Sequence, residues 1–231
     1  MNISLIKKIS TTLLLATILT ACGQMDKQDN PTSVGSQNNP TYGNFTAEQK
    51  KQYNQANKYI DNQEIDSAIK TLIPLAEQGQ ADAQNSLAFI YIKQNKVLDA
   101  KQWFEKAAEQ NHPEAQNNLG MLYLQGIGVA PNYDKAREYF EKAAAQNSIL
   151  AQNNLGMMYM QGVGVQVDYA QAKTYLEQAA KQGSSLAQYN LAMIYLNGLG
   201  EPVNKEKARE YLQQAAKQGD LDAQKQLELL K

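Results

Sequence analysis

The six residues Ala151-Gln152-Asn153-Asn154-Leu155-Gly156 recur at regular intervals along the chain. An identical copy occupies residues 115–120, and close variants occupy residues 83–88 and 187–192. The three later copies lie 36 residues apart, the earliest begins 32 residues before the next, and a truncated copy begins at residue 223. Similarity at a fixed period in this range is typical of a solenoid, in which every repeat forms one supersecondary unit. The sequence therefore predicts a repeat array.

Each complete repeat after residue 115 has the periodicity of two helices joined by a loop that contains glycine. In the unit that starts at residue 115, four apolar side chains follow helical spacing on one face, namely Ala115, Leu119, Leu122 and Tyr123. Gly126 and Gly128 come next, and glycine permits the backbone angles that end a helix. The apolar stripe of the second helix is Ala136, Phe140 and Ala143. We therefore predict an all-α protein built from helix-turn-helix units.

Polar residues at fixed places predict where the helices begin and end. Asn132 is suited to cap the start of a second helix, as are Asp168 and Asn204 at the equivalent places. Each second helix is followed by Gly or Asn, the residues best suited to a left-handed cap: Gly79, Asn111, Asn147, Gly183 and Gly219. His112 stands just before a first helix, with Pro113 at the favoured first helical position. We therefore expect His112 to be a turn or cap residue rather than a general base.

Two further features have structural interpretations. The glycine pairs 126/128, 162/164 and 198/200 do not form phosphate-binding loops, because no strand precedes them and no Lys-Ser/Thr follows. Trp103 occupies the place of a tyrosine in later units, and we expect these aromatic side chains to pack between neighbouring helices. The tyrosines are Tyr139, Tyr175 and Tyr211.

This pattern resembles the Sel-one-like (Sel1) repeat, a relative of the tetratricopeptide repeat. The residues that carry the resemblance are Ala115, Leu119, Gly120, Tyr123, Gly126, Gly128, Val129, Lys135, Ala136, Phe140, Lys142, Ala143 and Ala144. Matching sets run over residues 151–180 and 187–216, whereas the two earlier units lack the glycine loop and look more like plain tetratricopeptide units. The resemblance implies a right-handed α-solenoid whose first helices line the concave side and whose second helices lie outside.

On this interpretation the chain has three parts: a lipoprotein signal peptide at 1–21, a disordered tether at 22–45 and the α-solenoid at 46–231. The predicted units are about 51–82, 83–114, 115–150, 151–186 and 187–222, followed by a capping helix at 223–231. Residues 23–45 consist mostly of Gln, Asn, Ser, Thr, Pro and Gly. Such a segment cannot bury enough apolar surface to offset the entropy of ordering it, so we expect it to be disordered.

The N-terminal segment has the features of a bacterial targeting sequence. Lys7 and Lys8 form a basic region, and an uncharged, largely apolar run of about a dozen residues follows, too short to span a bilayer comfortably. The run ends in Leu19-Thr20-Ala21-Cys22, which resembles the lipobox of bacterial lipoproteins. The resemblance implies cleavage before Cys22 and acylation of this residue, and Gly23 favours the periplasmic face of the outer membrane of a Gram-negative bacterium. The alternative is an ordinary secretory peptide with an incidental cysteine.

Composition excludes several classes of function. The single cysteine and the single histidine do not allow a disulfide within the chain, a thiolate metal cluster or a multi-histidine metal site. The formal net charge of -1 gives no indication of a nucleic-acid-binding surface. No constellation of nucleophile, base and orienting group is evident. We therefore expect no metal, no cofactor, no nucleic acid and no enzymatic activity.

The most informative feature for function is a second stripe on the first helices, where asparagine recurs despite its poor helix propensity. The candidate partner-binding residues are Asn85, Phe89, Asn117, Asn118, Met121, Asn153, Asn154, Met157, Tyr189, Asn190 and Met193. Carboxamides could bind the backbone of an extended peptide while thioethers adapt to its side chains. In peptide-binding tetratricopeptide domains, which this pattern resembles, asparagine at the place of Asn118, Asn154 and Asn190 has this role.

The alternative interpretation is that internal duplication copied a neutral asparagine that faces solvent. In either case, replacement of Asn118, Asn154 and Asn190 by alanine should leave stability unchanged or raise it, because alanine is the better helix former.

Three functions are open at this level. The first is a lipid-anchored envelope scaffold, not an enzyme, that binds a protein or peptide through the concave face of its solenoid. The second is an immunity protein that neutralises an envelope-acting secreted toxin, because lipid-anchored Sel-one-like repeat proteins resemble such proteins. The third is a hydrolase that acts on the cell wall, which the residues favour least.

Anchoring can be tested at Cys22. The Cys22→Ser variant should lose incorporation of radiolabelled palmitate and leave the membrane fraction, because the serine hydroxyl does not replace the thiol as the acceptor of the lipid. Labelling that survives the substitution would contradict the lipobox interpretation.

Overall fold

The computed structural model describes residues 45–230, which form eleven α-helices and no strand. Their bounds are α1 Ala47–Asp61, α2 Ile65–Glu77, α3 Ala81–Lys93, α4 Val97–Glu109, α5 Pro113–Gln125, α6 Tyr133–Ala145, α7 Ile149–Gln161, α8 Tyr169–Lys181, α9 Ser185–Asn197, α10 Lys205–Lys217 and α11 Leu221–Leu229. The predicted signal peptide, the lipidation site Cys22 and nearly all of the predicted tether lie outside the described residues.

The helices form five consecutive pairs, and α11 follows the last pair. Each helix packs mainly against the helix before it and the helix after it in the chain, so the core extends along the array instead of closing into a single centre. The prediction of an all-α solenoid of helix-turn-helix units is confirmed. Between residues 45 and 230, no helix combines the length and the apolar composition that a membrane span requires.

The predicted caps are confirmed at the helix termini. The side chain of Asn132 accepts a hydrogen bond from the backbone N–H of Lys135 at 2.9 Å, and Asp168 and Asn204 cap α8 and α10 in the same way. His112 is the N-cap of α5, where its Nδ1 accepts from the N–H of Ala115 at 3.3 Å. The residues predicted to be left-handed have positive φ: Gly79 86°, Asn111 63°, Asn147 65°, Gly183 93° and Gly219 90°.

Small and large side chains alternate in the core. The second helix of each unit has one fully buried alanine, in the series Ala68, Ala100, Ala136, Ala172 and Ala208. Four residues further along each helix a large side chain is also buried, in the series Leu72, Phe104, Phe140, Leu176 and Leu212. A leucine from the first helix of the next unit packs in the same clusters, in the series Leu87, Leu119, Leu155 and Leu191. The alanines let neighbouring helices approach closely while the large side chains fill the space between them.

The glycine loops connect the two helices of a unit and also pack against the preceding unit. Gly164 lies in the loop between α7 and α8 with a φ of 67°, and a Cβ atom there would lie 2.2 Å from the Cβ of Tyr133. Tyr133 is the first residue of α6, in the preceding unit. Gly200 makes the equivalent approach to Tyr169, the first residue of α8. The second glycine of each loop is therefore needed both for its backbone conformation and for contact between units.

The aromatic residues pack between helices as predicted. The rings of Tyr123 and Tyr139 are stacked with centroids 5.8 Å apart, and equivalent pairs lie 5.9 Å apart in the next two units, at Tyr159 with Tyr175 and Tyr195 with Tyr211. Trp103 is partly buried and packs against two core clusters. One contains Leu72 and Leu87, and the other contains Phe104 and Leu119.

A pair of equivalent leucines tests the array-like distribution of stability. Leu155 is fully buried on α7, whereas Leu227, two repeats later, is only partly buried on α11. Leu155→Ala should lower the free energy of unfolding by about 2–5 kcal/mol, as is usual for a fully buried leucine. Leu227→Ala should cost less, because fewer neighbours lose contact. Urea unfolding monitored by circular dichroism measures both, and equal losses would contradict the expectation.

Candidate partner-binding site

The eleven candidate residues all lie on first helices of the units, namely α3, α5, α7 and α9. Four of them are buried, with exposed fractions of 6% for Asn85, 4% for Asn117, 3% for Asn153 and 6% for Asn190. The other seven are half-buried: Phe89, Asn118, Met121, Asn154, Met157, Tyr189 and Met193. We define the first-helix face as the partly exposed side of these four helices, which carries Phe89, Met121, Met157 and Met193 at one equivalent position.

Hydrogen bonds between asparagine side chains connect successive first helices. The Nδ2 of Asn118 on α5 donates to the Oδ1 of Asn85 on α3 at 3.2 Å. One unit later, the Nδ2 of Asn154 donates to the Oδ1 of Asn117 at 2.9 Å. Each bond is a rung of what we call the amide ladder, because it joins the fourth residue of one Ala-Gln motif to the third residue of the motif in the preceding unit. The candidate asparagines therefore hold units together.

The ladder begins with a different pair of residues at the same positions. The hydroxyls of Tyr53 on α1 and Ser86 on α3 form a hydrogen bond of 2.9 Å. Burial raises the pKa of Tyr53 to about 12, with the nearby Asp82 acting in the same direction and the bond to Ser86 opposing it. The phenol is therefore neutral throughout the physiological range and this rung does not depend on pH there.

The rung between α7 and α9 is open. The equivalent atoms are the Oδ1 of Asn153 and the Nδ2 of Asn190, and both are buried without a hydrogen-bond partner. The Nδ2 of Asn153 donates instead to the Oγ of Ser184, the residue that caps α9, at 2.9 Å. Asn153 is thus directed toward the start of α9. The rung between α7 and α9 therefore leaves one acceptor and one donor unpaired. In the two earlier asparagine rungs the equivalent atoms are bonded to each other.

These contacts change the interpretation of the asparagines. Both sequence-based interpretations treated the carboxamides as free, either to bind a peptide or to face solvent. The structure buries four of them because a first helix is covered by its own second helix, by the second helix before it and by the neighbouring first helices. The sequence-based expectation that alanine at Asn118, Asn154 and Asn190 leaves stability intact no longer follows for the first two.

A second set of amide contacts was missed by the sequence analysis. The glutamine of each Ala-Gln motif accepts a 2.8 Å hydrogen bond from the glutamine after the second helix of its own unit, in the pairs Gln84–Gln110, Gln116–Gln146, Gln152–Gln182 and Gln188–Gln218. Gln84 also donates to the carbonyl of Ala76 in the preceding unit at 2.9 Å. The recurrence of both glutamines at the repeat period was the available signal. Since these residues are used within the solenoid, they are not candidates for binding.

The environment of His112 supports its capping role. Its Nε2 lies 3.3 Å from the Oδ1 of Asp82 on α3, and its Nδ1 lies 3.3 Å from the Oε2 of Glu114. Nδ1 already accepts from the N–H of Ala115. The side chain thereby links the start of α5 to the preceding unit. In the described part of the chain, no group of three or more His, Cys, Asp and Glu side chains could hold a metal ion.

The buried side-chain polar atoms that lack a hydrogen bond all lie on first helices of the units. Among residues 45–230 these side-chain atoms are Asn57 Oδ1, Glu114 Oε2, Asn153 Oδ1 and Asn190 Nδ2. All four belong to first helices, on α1, α5, α7 and α9, and none belongs to a second helix. Glu114 Oε2 lies 3.3 Å from the Nδ1 of His112, the nitrogen that accepts from Ala115. Buried polar groups are normally paired, so these four atoms are exceptions, and they are concentrated on the first helices.

Charge also varies along the first-helix face. Helix α3 begins with Asp82 in its first turn and ends with Lys93, and α5 carries Glu114. Helices α7 and α9, with sequences ILAQNNLGMMYMQ and SLAQYNLAMIYLN, contain no Asp, Glu, Lys or Arg. The two helices that flank the open rung therefore carry no charge of their own, and the nearby acids are Asp222 and Asp220, which adjoin Tyr189 of α9.

The closed and open rungs should respond differently to truncation. Asn118→Ala leaves the Oδ1 of Asn85 buried and unpaired, so it should lower the free energy of unfolding by about 1–3 kcal/mol. Asn190→Ala removes a donor that has no partner, and alanine is the better helix former, so stability should stay constant or rise by a few tenths of a kcal/mol. Urea unfolding of the two variants provides the comparison, and equal losses would contradict the assignment of open and closed rungs.

The Sel1 repeat family matches residues 81–112, 113–148, 149–184 and 185–220, which is more than half of the chain. No curated protein matches the chain.

Several solved structures have the same fold. One is c5321, a protective antigen of uropathogenic Escherichia coli, with a TM-score of 0.69, 32% identity, and coverage of 78% of this chain and 40% of the other. A Sel1 repeat protein from Oxalobacter formigenes has a TM-score of 0.63 and 33% identity, covering 71% and 49%. This chain thus spans less than half the length of either protein. The immunity protein Pa5087 of Pseudomonas aeruginosa, at 19% identity, has a TM-score of 0.56 and covers 78% and 70%. With four consecutive repeats on this fold, the chain belongs to the Sel1 repeat family.

Proposed function

We propose that this protein is a lipid-anchored, non-enzymatic envelope protein that binds another protein through the first-helix face of its solenoid. Sel1 repeats generally mediate contacts between proteins. The observation that supports this face in particular is that three of the four unpaired buried polar atoms, Glu114 Oε2, Asn153 Oδ1 and Asn190 Nδ2, belong to its helices. A partner segment that reaches these atoms would supply the missing hydrogen bonds.

The second helices offer a different surface. Their exposed sides carry charged pairs one turn apart, such as Lys142 with Glu138 and Arg137 with Glu141. Pairs of this kind are solvated and contribute little to stability or specificity. The first-helix face instead presents Phe89 and three half-buried methionines, and thioethers adapt readily to varied partner surfaces. Composition therefore supports binding through the first helices.

The anchored part of the proposal depends on the sequence before residue 45. Cys22 would hold the lipid, and the polar segment that follows would keep the solenoid clear of the membrane surface. A chain of about 23 flexible residues has a typical span of roughly 25–30 Å. The periplasmic face of the outer membrane is the proposed location, on the basis of Gly23.

The non-enzymatic part is supported by the assignments of reactive residues. The single histidine caps α5, and the single cysteine is the proposed lipidation site. Neither is available as a nucleophile or general base on the first-helix face.

Site-specific photo-crosslinking in intact cells tests the binding face. A benzophenone amino acid at Met157 on α7 should give a crosslinked product of defined mass, and the same substitution at Met121 should give the same product. The control position is Gln178, which is exposed on α8 in the same unit as Met157. A product formed from Gln178 and not from Met157 or Met121 would place binding on the second helices and refute the proposal.

An immunity role is a second candidate. The observation that favours it is that the fold is shared with Pa5087, an immunity protein. At 19% identity this likeness concerns the fold alone, so the role is a separate proposal. Deletion of the gene should then make cells sensitive to toxins delivered by neighbouring cells of the same strain, and expression of the chain should restore resistance. Unchanged survival in mixed culture would exclude an immunity role against those toxins.

A further inference from the structure

The open rung between α7 and α9 differs chemically from the rest of the amide ladder. Asn153 and Asn190 are 97% and 94% buried, yet Oδ1 of the first and Nδ2 of the second have no partner. A buried donor or acceptor left unpaired destabilises the fold, because it has lost its hydration and gained no hydrogen bond in return. The two atoms form a complementary set of one acceptor and one donor, and the same positions are joined directly in the two preceding asparagine rungs.

The surroundings of this rung are apolar and adaptable. By helical spacing, the surface neighbours of Asn153 are Leu150 and Met157, and those of Asn190 are Leu186 and Met193. All four neighbours are partly exposed, and Leu186 is 44% exposed. Methionine side chains can move aside at low cost because they are unbranched. The two amides therefore lie beneath side chains that can open.

The absence of charged side chains on α7 and α9 indicates which kind of partner segment fits this junction. Neither α7 nor α9 contains an ionisable acid or base other than tyrosine, so a charged partner side chain between these two helices would lose its hydration without gaining an ion pair from them. The acids that adjoin this patch, Asp222 and Asp220, lie on the far side of α9 from α7, next to Tyr189, at the start of α11. An uncharged segment has no such cost. Its apolar side chains would cover Leu150 and Leu186.

We infer that the junction of α7 and α9 binds an extended, uncharged segment of the partner protein that carries apolar side chains. In an extended chain the N–H and C=O of one residue point to the same side, so a single partner residue offers both groups at once. Its N–H would donate to the Oδ1 of Asn153, and its C=O would accept from the Nδ2 of Asn190. This inference rests on the proposed function and locates it at one junction of the first-helix face.

The experiment uses random dodecapeptides displayed on phage and selected against the immobilised full-length chain. The selected peptides should be depleted of Asp, Glu, Lys and Arg and enriched in Leu, Met, Phe and Val relative to the starting library. Selection of charged peptides, or the absence of any selected peptide, would overturn the inference.

A selected peptide is then synthesised with a fluorophore and titrated against variants by fluorescence anisotropy. Asn190→Ala should weaken binding about three- to tenfold through one lost hydrogen bond. Leu186→Asp should weaken it more than tenfold, because it introduces a charge into the uncharged patch. The matched controls are Asn54→Ala, at the same repeat position on α1, and Leu98→Asp, an exposed leucine on α4. Both controls should bind as the unmodified chain does.

The outcomes separate this inference from the proposed function. Unchanged binding by Asn190→Ala, as expected if a water molecule fills the open rung, would overturn the inference. If a Met121→Asp variant on α5 then abolished binding, the first-helix face would still stand as the binding surface. If only Leu98→Asp abolished binding, the first-helix face would fail as well.

Discussion

The structure depends on the burial of each first helix between its own second helix and the neighbouring units. A first helix in such an array has little free surface, so its polar side chains need partners from other units. The amide ladder supplies them, with Asn118 bonded to Asn85 and Asn154 bonded to Asn117. Asparagine, a poor residue for a helix interior, is thereby useful, because its amide both donates and accepts. Units that share these partly buried hydrogen bonds cannot slide relative to each other without losing them.

Repetition makes the departures from the pattern informative. The ladder starts with hydroxyls at Tyr53 and Ser86, continues with asparagine pairs, and opens at Asn153 and Asn190. The residue beside Asn190 is Tyr189, where earlier units have Asn117 and Asn153, and the amide of Asn153 donates to Ser184 instead. The same part of the array has first helices without charge. Unpaired amides and an uncharged surface coincide at one junction, which is the combination expected of a site completed by another chain.

Much of the fold could be predicted from residue types alone, because its determinants are local. Asn132 caps α6, and Asn111 and Asn147 have the left-handed conformation, for reasons contained within a few residues of each. The candidate site was predicted less completely. Sequence identified the asparagines as unusual, but a rung joins residues 33 or 37 positions apart, and no local rule relates them. The glutamine pairs, 26 or 30 positions apart, were missed for the same reason.

The sequence by itself determined that this chain is an all-α repeat array, since a period of 36 residues with helical spacing, glycine loops and recurring caps is compatible with few other architectures. Tertiary structure alone decided which amides are satisfied and which are not. Asn118 and Asn190 occupy the same repeat position and have the same chemistry, yet one is bonded to the preceding unit and the other is not. The difference arises from side-chain directions between packed helices. Those directions are set by steric and hydrogen-bond competition in three dimensions, which residue identity and spacing do not encode.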